Sequence, residues 1–479
     1  MIVMIRTRFA PSPTGYVHVG NLRTVLYAYF IAHKDSGKCI LRIEDTDQTR
    51  LVEDGVERLI EAFDWLKIEF DEGPHVGGDF GPYIQSERLE IYQKYSQELL
   101  NKDQAYYCFC TKEELERERK GNQQEMYSGK CRFLDKEEAK RRAEGGEECV
   151  VRLKVPKSEE VEYTDEVYGK VKFDTNIIDD QVLIKSDGYP TYHMAVVVDD
   201  HLMEITHVVR ANEWIPSMGK HILLYRAFGW EMPKHVHLPM ITGDDGKKLS
   251  KRKGDVFIES FRKKGYLAEV LINFLALLGW NPGDNREIFS LDELIKEFKI
   301  ERIKKSNAFF DYEKLNWMNK QYLMKMDAKE IIERFADIEL NDYVKSLDKV
   351  LLAKIVEVEK SRMTTLADIN NIGEYFTSEP KINLDDLVFR KSDIDKTKVG
   401  LSGAIEILTG LDDWQVDSIM SALKQVVETD ESLGNGDVFW PVRYALSGEM
   451  QSASPPELLW VLGKEESLRR LKSALDLLV

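Results

Sequence analysis

The sequence predicts an α/β protein: a doubly wound parallel-sheet domain, interrupted by an inserted α/β segment and followed by all-helical domains. Three observations carry this. A strand, loop, helix and second strand fit within the first 45 residues. A second such set spans 204–241, and strand patterning fades after about residue 325.

Residues 6–10 alternate as a short strand does, and Pro11-Ser-Pro-Thr-Gly15 then breaks regular structure. Leu22, Val25, Leu26, Tyr29 and Phe30 recur three and four apart, the period of a helix, and Gly37 is placed to stop it. Residues 38–43 read as a second strand ending at Glu44-Asp-Thr-Asp47. Such a βαβ unit implies parallel pairing, with a ligand at the carboxyl ends of the strands. Residues 106–188 are rich in charge and turns and read as an insertion. Strands over 204–209 and 236–241 then flank a helix over Met218–Phe228. The last helix places Leu468, Leu471, Leu475 and Leu478 on one face. The division is therefore 1–105 and 189–255 for the halves of the sheet domain, 106–188 for the insertion, 256–325 for a helical segment and 326–479 for the all-helical remainder.

With 479 residues the chain exceeds one ordinary core. Its 43% hydrophobic and 32% charged residues describe a soluble globular protein. No apolar run approaches the roughly 20 residues of a membrane span. The apolar start stops at Arg6, short of a secretory leader, so a cytoplasmic protein without membrane partners is expected. The net charge of −17 does not announce a polyanion partner, but local fields rather than net charge decide binding. Five cysteines (Cys39, Cys108, Cys110, Cys131, Cys149) are too sparse for a secreted disulfide framework.

Two loops carry chemistry. His18-Val-Gly20-Asn21 opens the first helix, where free amides and a partial positive charge suit phosphate, and His18 could donate to an anionic transition state. Taken alone, His-x-Gly is more often an ordinary turn. Lys247-Lys248-Leu-Ser250-Lys251-Arg252-Lys253 packs five cations into seven positions between glycines, after a predicted sheet strand. It reads equally as a solvated charge run or as a loop that closes over polyphosphate.

Together these words resemble the two signature motifs of class I aminoacyl-tRNA synthetases. Neighbouring words narrow the resemblance to bacterial glutamyl-tRNA synthetases: Arg8-Phe-Ala-Pro-Ser-Pro-Thr-Gly15, Leu41-Arg-Ile-Glu-Asp-Thr-Asp47, Asp71-Glu-Gly-Pro74, Ser186-Asp-Gly-Tyr-Pro-Thr-Tyr192, Val197-Val-Asp-Asp-His201 and Ile205-Thr-His-Val-Val-Arg210. Asn21 stands where other class I enzymes often carry a second histidine, which places more catalytic weight on His18 and the lysines.

The resemblance implies a Rossmann-like catalytic domain and two reactions. Glutamate attacks the α-phosphate of ATP to give glutamyl-adenylate, and a terminal ribose hydroxyl of tRNA(Glu) then attacks the acyl carbon. It assigns phosphate stabilisation to His18, Lys248 and Lys251, and ATP binding to these with Gly20, Asn21 and Ser250; Mg²⁺ accompanies the nucleotide. It places Arg8, Ala10, Ser12, Glu44, Tyr192 and Arg210 around glutamate, with Glu44 holding the ammonium and a guanidinium meeting the side-chain carboxylate. Cys108, Cys110, Cys131 and Tyr127 match a structural zinc site of some members, near the acceptor end of tRNA. Residues 304–319 match a helical stem-contact segment. The helical remainder matches an anticodon-binding cage, with Arg362 at an anticodon-reading position and 436–448 as its terminal motif. A monomer is implied. Four rivals stay open: an enzyme that charges glutamine or also loads tRNA(Gln), a nucleotidyltransferase sharing His-x-Gly, a silent tRNA-binding descendant, and a shorter relative that glutamylates a tRNA base.

Overall fold

The computed structural model describes residues 4–13, 15–47, 52–121, 126–249 and 256–478. The chain forms two compact units, Met1–Phe261 with Ala268–Leu315, and Arg262–Leu267 with Asn316–Val479.

In the first unit, β1 (Arg6–Phe9) is buried at all four positions, as expected of a strand covered on both faces. It leads through the proline loop to α1 (Val19–Lys34), whose Leu22, Val25, Leu26 and Phe30 are fully buried. β2 (Lys38–Leu41) returns parallel to β1, with Arg6 opposite Lys38 and Phe9 opposite Leu41. Then come α2 (Gly55–Leu66), α3 (Leu89–Asn101), β3 (Ala105–Cys108), α4 (Lys112–Gly121), α5 (Lys136–Glu144), β4 (Val150–Leu153), β5 (Glu160–Asp165), β6 (Gly169–Asp174) and β7 (Val182–Ile184). The second half of the sheet follows as α6 (Tyr192–Leu202), β8 (His207–Ala211), α7 (Met218–Phe228) and β9 (Lys234–Leu238).

β8 begins later than the apolar pattern of 204–209 suggests. Glu204 takes a left-handed φ of 54° after α6, and Ile205 N returns to Asp200 O (2.8 Å), so the chain is still turning there. Thr206 N donates to Arg6 O (2.9 Å), which sets β8 alongside β1. β8 and β9 run parallel, with Arg210 opposite His237. Strands β3, β4 and β7 form their own antiparallel sheet. The β5–β6 hairpin instead joins the main sheet, Asp165 opposite His235 of β9. Along β5 the burial alternates, so Val161, Tyr163 and Asp165 all face inward, the last of them a charged residue.

The second unit is helical, as the fading strand signals predict. Ile394–Thr409, Val416–Thr429, Asn435–Ser447, Pro455–Leu462 and Lys464–Asp476 pack around Leu401, Leu408, Leu423, Val442, Leu458 and Leu471, all fully buried. The last helix buries Ser467, Arg470, Leu471 and Ala474, with Leu478 buried just beyond its end and Leu468 and Leu475 at the edges of that face. Arg470 can sit inside because it donates to three backbone carbonyls, of Tyr375, Leu446 and Ser378.

Gly37 closes α1 onto β2. Its N–H donates to Ala32 O (2.8 Å), and a Cβ there would stand 2.1 Å from Ile5 O. Backbone cannot yield as a side-chain tip can. Gly37→Ala is therefore expected to lose about 1–3 kcal/mol of stability, read as a lower thermal midpoint.

Candidate active site

The strand ends of β1 and β8, the segment after β2 and the start of α1 enclose a cleft of about 610 Å³. His18 caps α1: its Nδ1 accepts the Gly20 N–H (2.9 Å), which leaves the neutral ring's proton on Nε2. A side chain at position 20 would crowd that imidazole, a Cβ meeting His18 Nδ1 at 3.2 Å. The first turn of α1 has no acidic residue, so nothing on it offsets the helix end's partial positive charge. Gly20, Asn21 and Thr24 line the cleft beside it.

A buried ionic group forms the floor. Arg8 on β1 donates to Asp200 (Nε–Oδ1 3.1 Å), and Arg42 reaches Asp200 (2.8 Å) and Glu44 (3.1 Å). Asp199, one residue earlier on α6, accepts from Arg88 (2.8 Å), Gln85 (2.9 Å) and Tyr92 (2.8 Å). Desolvation alone would raise the Asp200 carboxyl, but Arg8 and Arg42 outweigh it and hold the group below its ordinary value. At Glu44 the balance reverses: burial wins over Arg42 and Arg8 and pushes its carboxyl up.

Arg210 on β8 is solvated differently. Its Nε donates to His237 Nε2 (3.1 Å), NH2 contacts Met218 Sδ and His221 Nδ1 (3.5 Å), and NH1 reaches Tyr192 Oη (3.5 Å). No carboxylate among the described residues lies within ion-pair distance of this guanidinium, although it is only 6% exposed. Burial holds His193, His221, His235 and His237 below their ordinary values, His193 at about 4, so the imidazoles around Arg210 are neutral at pH 7. Tyr192 stacks near Trp214 (centroids 4.8 Å), closing that side of the cleft.

The sequence-derived residues Arg8, Ala10, Ser12, His18, Gly20, Asn21, Glu44, Tyr192, Arg210 and Lys248 thus all line one cleft. Lys248 Nζ pairs with Glu213 Oε2 (2.6 Å) at the rim, on a turn held by Leu249 N to Ile241 O (3.0 Å). Ser250 and Lys251 lie outside the described residues. Sequence reasoning gave no site role to Arg42, Asp199, Asp200, His221, His237 or Asp165, although the first three stand inside the quoted words. The signal for the two aspartates was present: adjacent acids at the end of the apolar run Met194–Val198 have to be buried with cations.

Elsewhere in this unit, Cys108, Cys110 and Cys131 bring their sulfurs within 4.8 Å of one another, and Tyr127 Oη lies 3.3 Å from Cys108 Sγ and 3.6 Å from Cys110 Sγ. In the helical unit, the Arg362 guanidinium meets Glu457 (3.3 Å) and Glu359 (3.6 Å). Among the described residues no helix is long and apolar enough to cross a membrane.

Comparison with known proteins places this geometry. Residues 4–317 match the family of class I tRNA synthetases (E and Q), catalytic domain, and residues 315–475 match an anticodon binding domain. The chain is 45% identical over 476 residues to the glutamate–tRNA ligase of Clostridium novyi and 44% identical over 493 residues to that of Chloroherpeton thalassium, with 98% of both chains covered each time. The crystal structure of a glutamate tRNA ligase from Elizabethkingia meningosepticum in complex with its amino acid aligns with a TM-score of 0.87 at 37% identity, covering 99% of this chain and 100% of that one. The fold is that of a class I aminoacyl-tRNA synthetase. Within that class, the chain belongs to the glutamate–tRNA ligase family.

Asp200 bridges two guanidiniums, so Asp200→Asn is expected to cost about 3–5 kcal/mol at neutral pH by leaving buried cations underneutralised. Because its folded value is depressed, the stability it contributes is complete above the ordinary carboxylate range. That contribution is lost as pH falls through the lower folded value. Acid unfolding should therefore be less steep in the variant than in the parent.

Proposed function

We propose that this chain attaches L-glutamate to tRNA(Glu) with ATP, through glutamyl-adenylate, and that the cleft between α1 and β8 does the chemistry. The observation that carries the reading is Arg210, a buried cation beside the cleft whose neighbours are neutral. A substrate with a carboxylate side chain supplies the missing anion. Glutamine, isosteric but neutral, leaves that cation unpaired, so discrimination follows from charge rather than size. Glu44, at the edge of the buried ionic floor, takes the substrate ammonium in this reading, with Arg8, Ser12, Tyr192 and Ala10 lining the same cleft.

In the first step a glutamate carboxylate oxygen attacks the α-phosphorus in line, and pyrophosphate leaves. His18 presents its Nε2–H to the phosphates, and the start of α1 its partial positive charge, near Gly20 and Asn21. Lys248 exchanges Glu213 for the departing pyrophosphate, with Lys251 and Ser250 assisting by sequence pattern. Mg²⁺ arrives as part of the nucleotide substrate. In the second step a terminal ribose hydroxyl of the tRNA attacks the acyl carbon and AMP leaves. Residues 106–188 take the acceptor end, 256–325 the stem, and 326–479 the anticodon, with Arg362 among its readers. The chain acts as a cytoplasmic monomer.

The cysteine group suits one structural zinc. Tetrahedral ligands at about 2.3 Å lie about 3.8 Å apart, and Cys110 and Cys131 Sγ already stand at 3.6 Å. Tyr127 Oη completes the set and tethers the Cys131 backbone N–H (2.9 Å). Metal analysis of the purified chain should find roughly one zinc per chain, falling toward none in Cys110→Ser combined with Cys131→Ser. A metal-free parent would refute the site.

Labelled glutamate and glutamine, offered separately with ATP to tRNA(Glu) and tRNA(Gln), test the whole reading. Glutamate on tRNA(Glu) and no glutamine on either is expected. Glutamate on both tRNAs would keep the chemistry and remove strict anticodon reading. No glutamate on either would sink the proposal.

A further inference from the structure

Arg210, the last residue but one of β8, aims its Nε–H at His237 Nε2 on the neighbouring strand, 3.1 Å away. A guanidinium nitrogen only donates, so that imidazole nitrogen accepts, and the ring proton must sit on Nδ1. Nδ1 in turn donates to Asp165 Oδ2 at 2.6 Å. Asp165, the last residue of β5, is 1% exposed, and its other oxygen accepts the backbone N–H groups of Val167 (3.0 Å) and Tyr168 (2.9 Å). Each oxygen of this carboxylate is thus committed, Oδ1 to the turn after β5 and Oδ2 to the imidazole.

We propose that Asp165 and His237 are positioning residues for amino-acid selection, fixing the Arg210 fork so that NH1 lies beside Tyr192 at the cleft. The inference rests on the reading of Arg210 as the group that meets the substrate's side-chain carboxylate. Nε is the atom whose bond sets the rotation of the guanidinium plane, so a single strong acceptor there orients the whole fork. The acceptor also has to be neutral. A carboxylate in direct contact would neutralise Arg210 and take the place the substrate is to fill. The imidazole orients the cation while holding the Asp165 charge one ring away. Desolvation, only partly opposed by Asp165, keeps the His237 imidazole below its ordinary value, consistent with the neutral ring. Asp165 also falls within the inserted segment, so the insertion contributes to the amino-acid site through β5.

Asp165→Asn reverses the polarity of this relay at nearly constant volume. The turn still demands an oxygen from the Oδ1 position, so the amide N–H₂ is delivered to His237 Nδ1. His237 must then accept there and carry its proton on Nε2, facing the Arg210 Nε–H. Two donors in contact are mutually repulsive and one buried donor loses its partner. His237→Leu removes the acceptor outright. His237→Gln preserves the function, because its amide offers an oxygen to Arg210 and an N–H to Asp165.

The test is steady-state aminoacylation by the full chain, with KM measured separately for glutamate and for ATP. Asp165→Asn and His237→Leu should each raise the glutamate KM by about tenfold or more while the ATP KM stays within about twofold. His237→Gln should stay within about threefold of the parent for both substrates. An unchanged glutamate KM in Asp165→Asn, or equal increases for glutamate and ATP, overturns the inference. Should Asp165→Asn fail to fold, the contrast between His237→Leu and His237→Gln decides, and equal behaviour of those two overturns it. Arg210→Met separates the two levels of argument. If it leaves the glutamate KM unchanged, the pocket reading itself has failed. If it raises the glutamate KM while the relay variants do not, only the positioning role has failed.

Discussion

Burying a guanidinium forces a choice about what replaces its water, and the cleft depends on two opposite answers to that choice. Arg8 and Arg42 are answered with carboxylates, Asp200 shared between them and Glu44 at the edge. That part of the floor is internally ion-paired. Arg210 is answered with imidazoles, a thioether and a phenol, and no carboxylate among the described residues is in ion-pair contact with it. An enzyme that must tell a carboxylate from its amide needs this asymmetry, since a fully compensated arginine would bind both alike.

The parallel sheet makes the arrangement possible. β1 and β8 lie side by side, so Arg8 and Arg210 arrive at the same edge from strands some 200 residues apart in the sequence. α6, between the insertion and β8, carries Tyr192 at its start and Asp199 and Asp200 near its end. One helix therefore supplies both a wall of the cleft and the anions beneath it. The start of α1 brings its partially positive end into the same space, with His18 held by the backbone it caps.

Much of this was legible in the sequence. Period and punctuation gave the βαβ opening, the Met218–Phe228 helix and the helical second unit, because those segments alternate or repeat on short range. Arg8, His18, Glu44, Tyr192 and Arg210 could be named from the words around them. The β5–β9 pairing could not be read, since a parallel contact between Asp165 and His235 leaves no mark on either segment alone. For the same reason neither Asp165, within a charged insertion, nor His237 received a role from the sequence. Their meaning lies in a hydrogen-bond direction, which only the assembled strands reveal.

Direct binding of two non-reactive adenylate mimics, one glutamyl and one glutaminyl, by calorimetry tests the central claim of an uncompensated cation most directly. The two are isosteric, a carboxylate oxygen in one standing where the other has an amide NH₂. The glutamyl mimic should bind about 100-fold or more tightly than the glutaminyl one, and Arg210→Met should erase most of that difference. Equal affinities in the parent chain would contradict the account, because a cleft beside a buried cation with no carboxylate in direct contact cannot be indifferent to an anion.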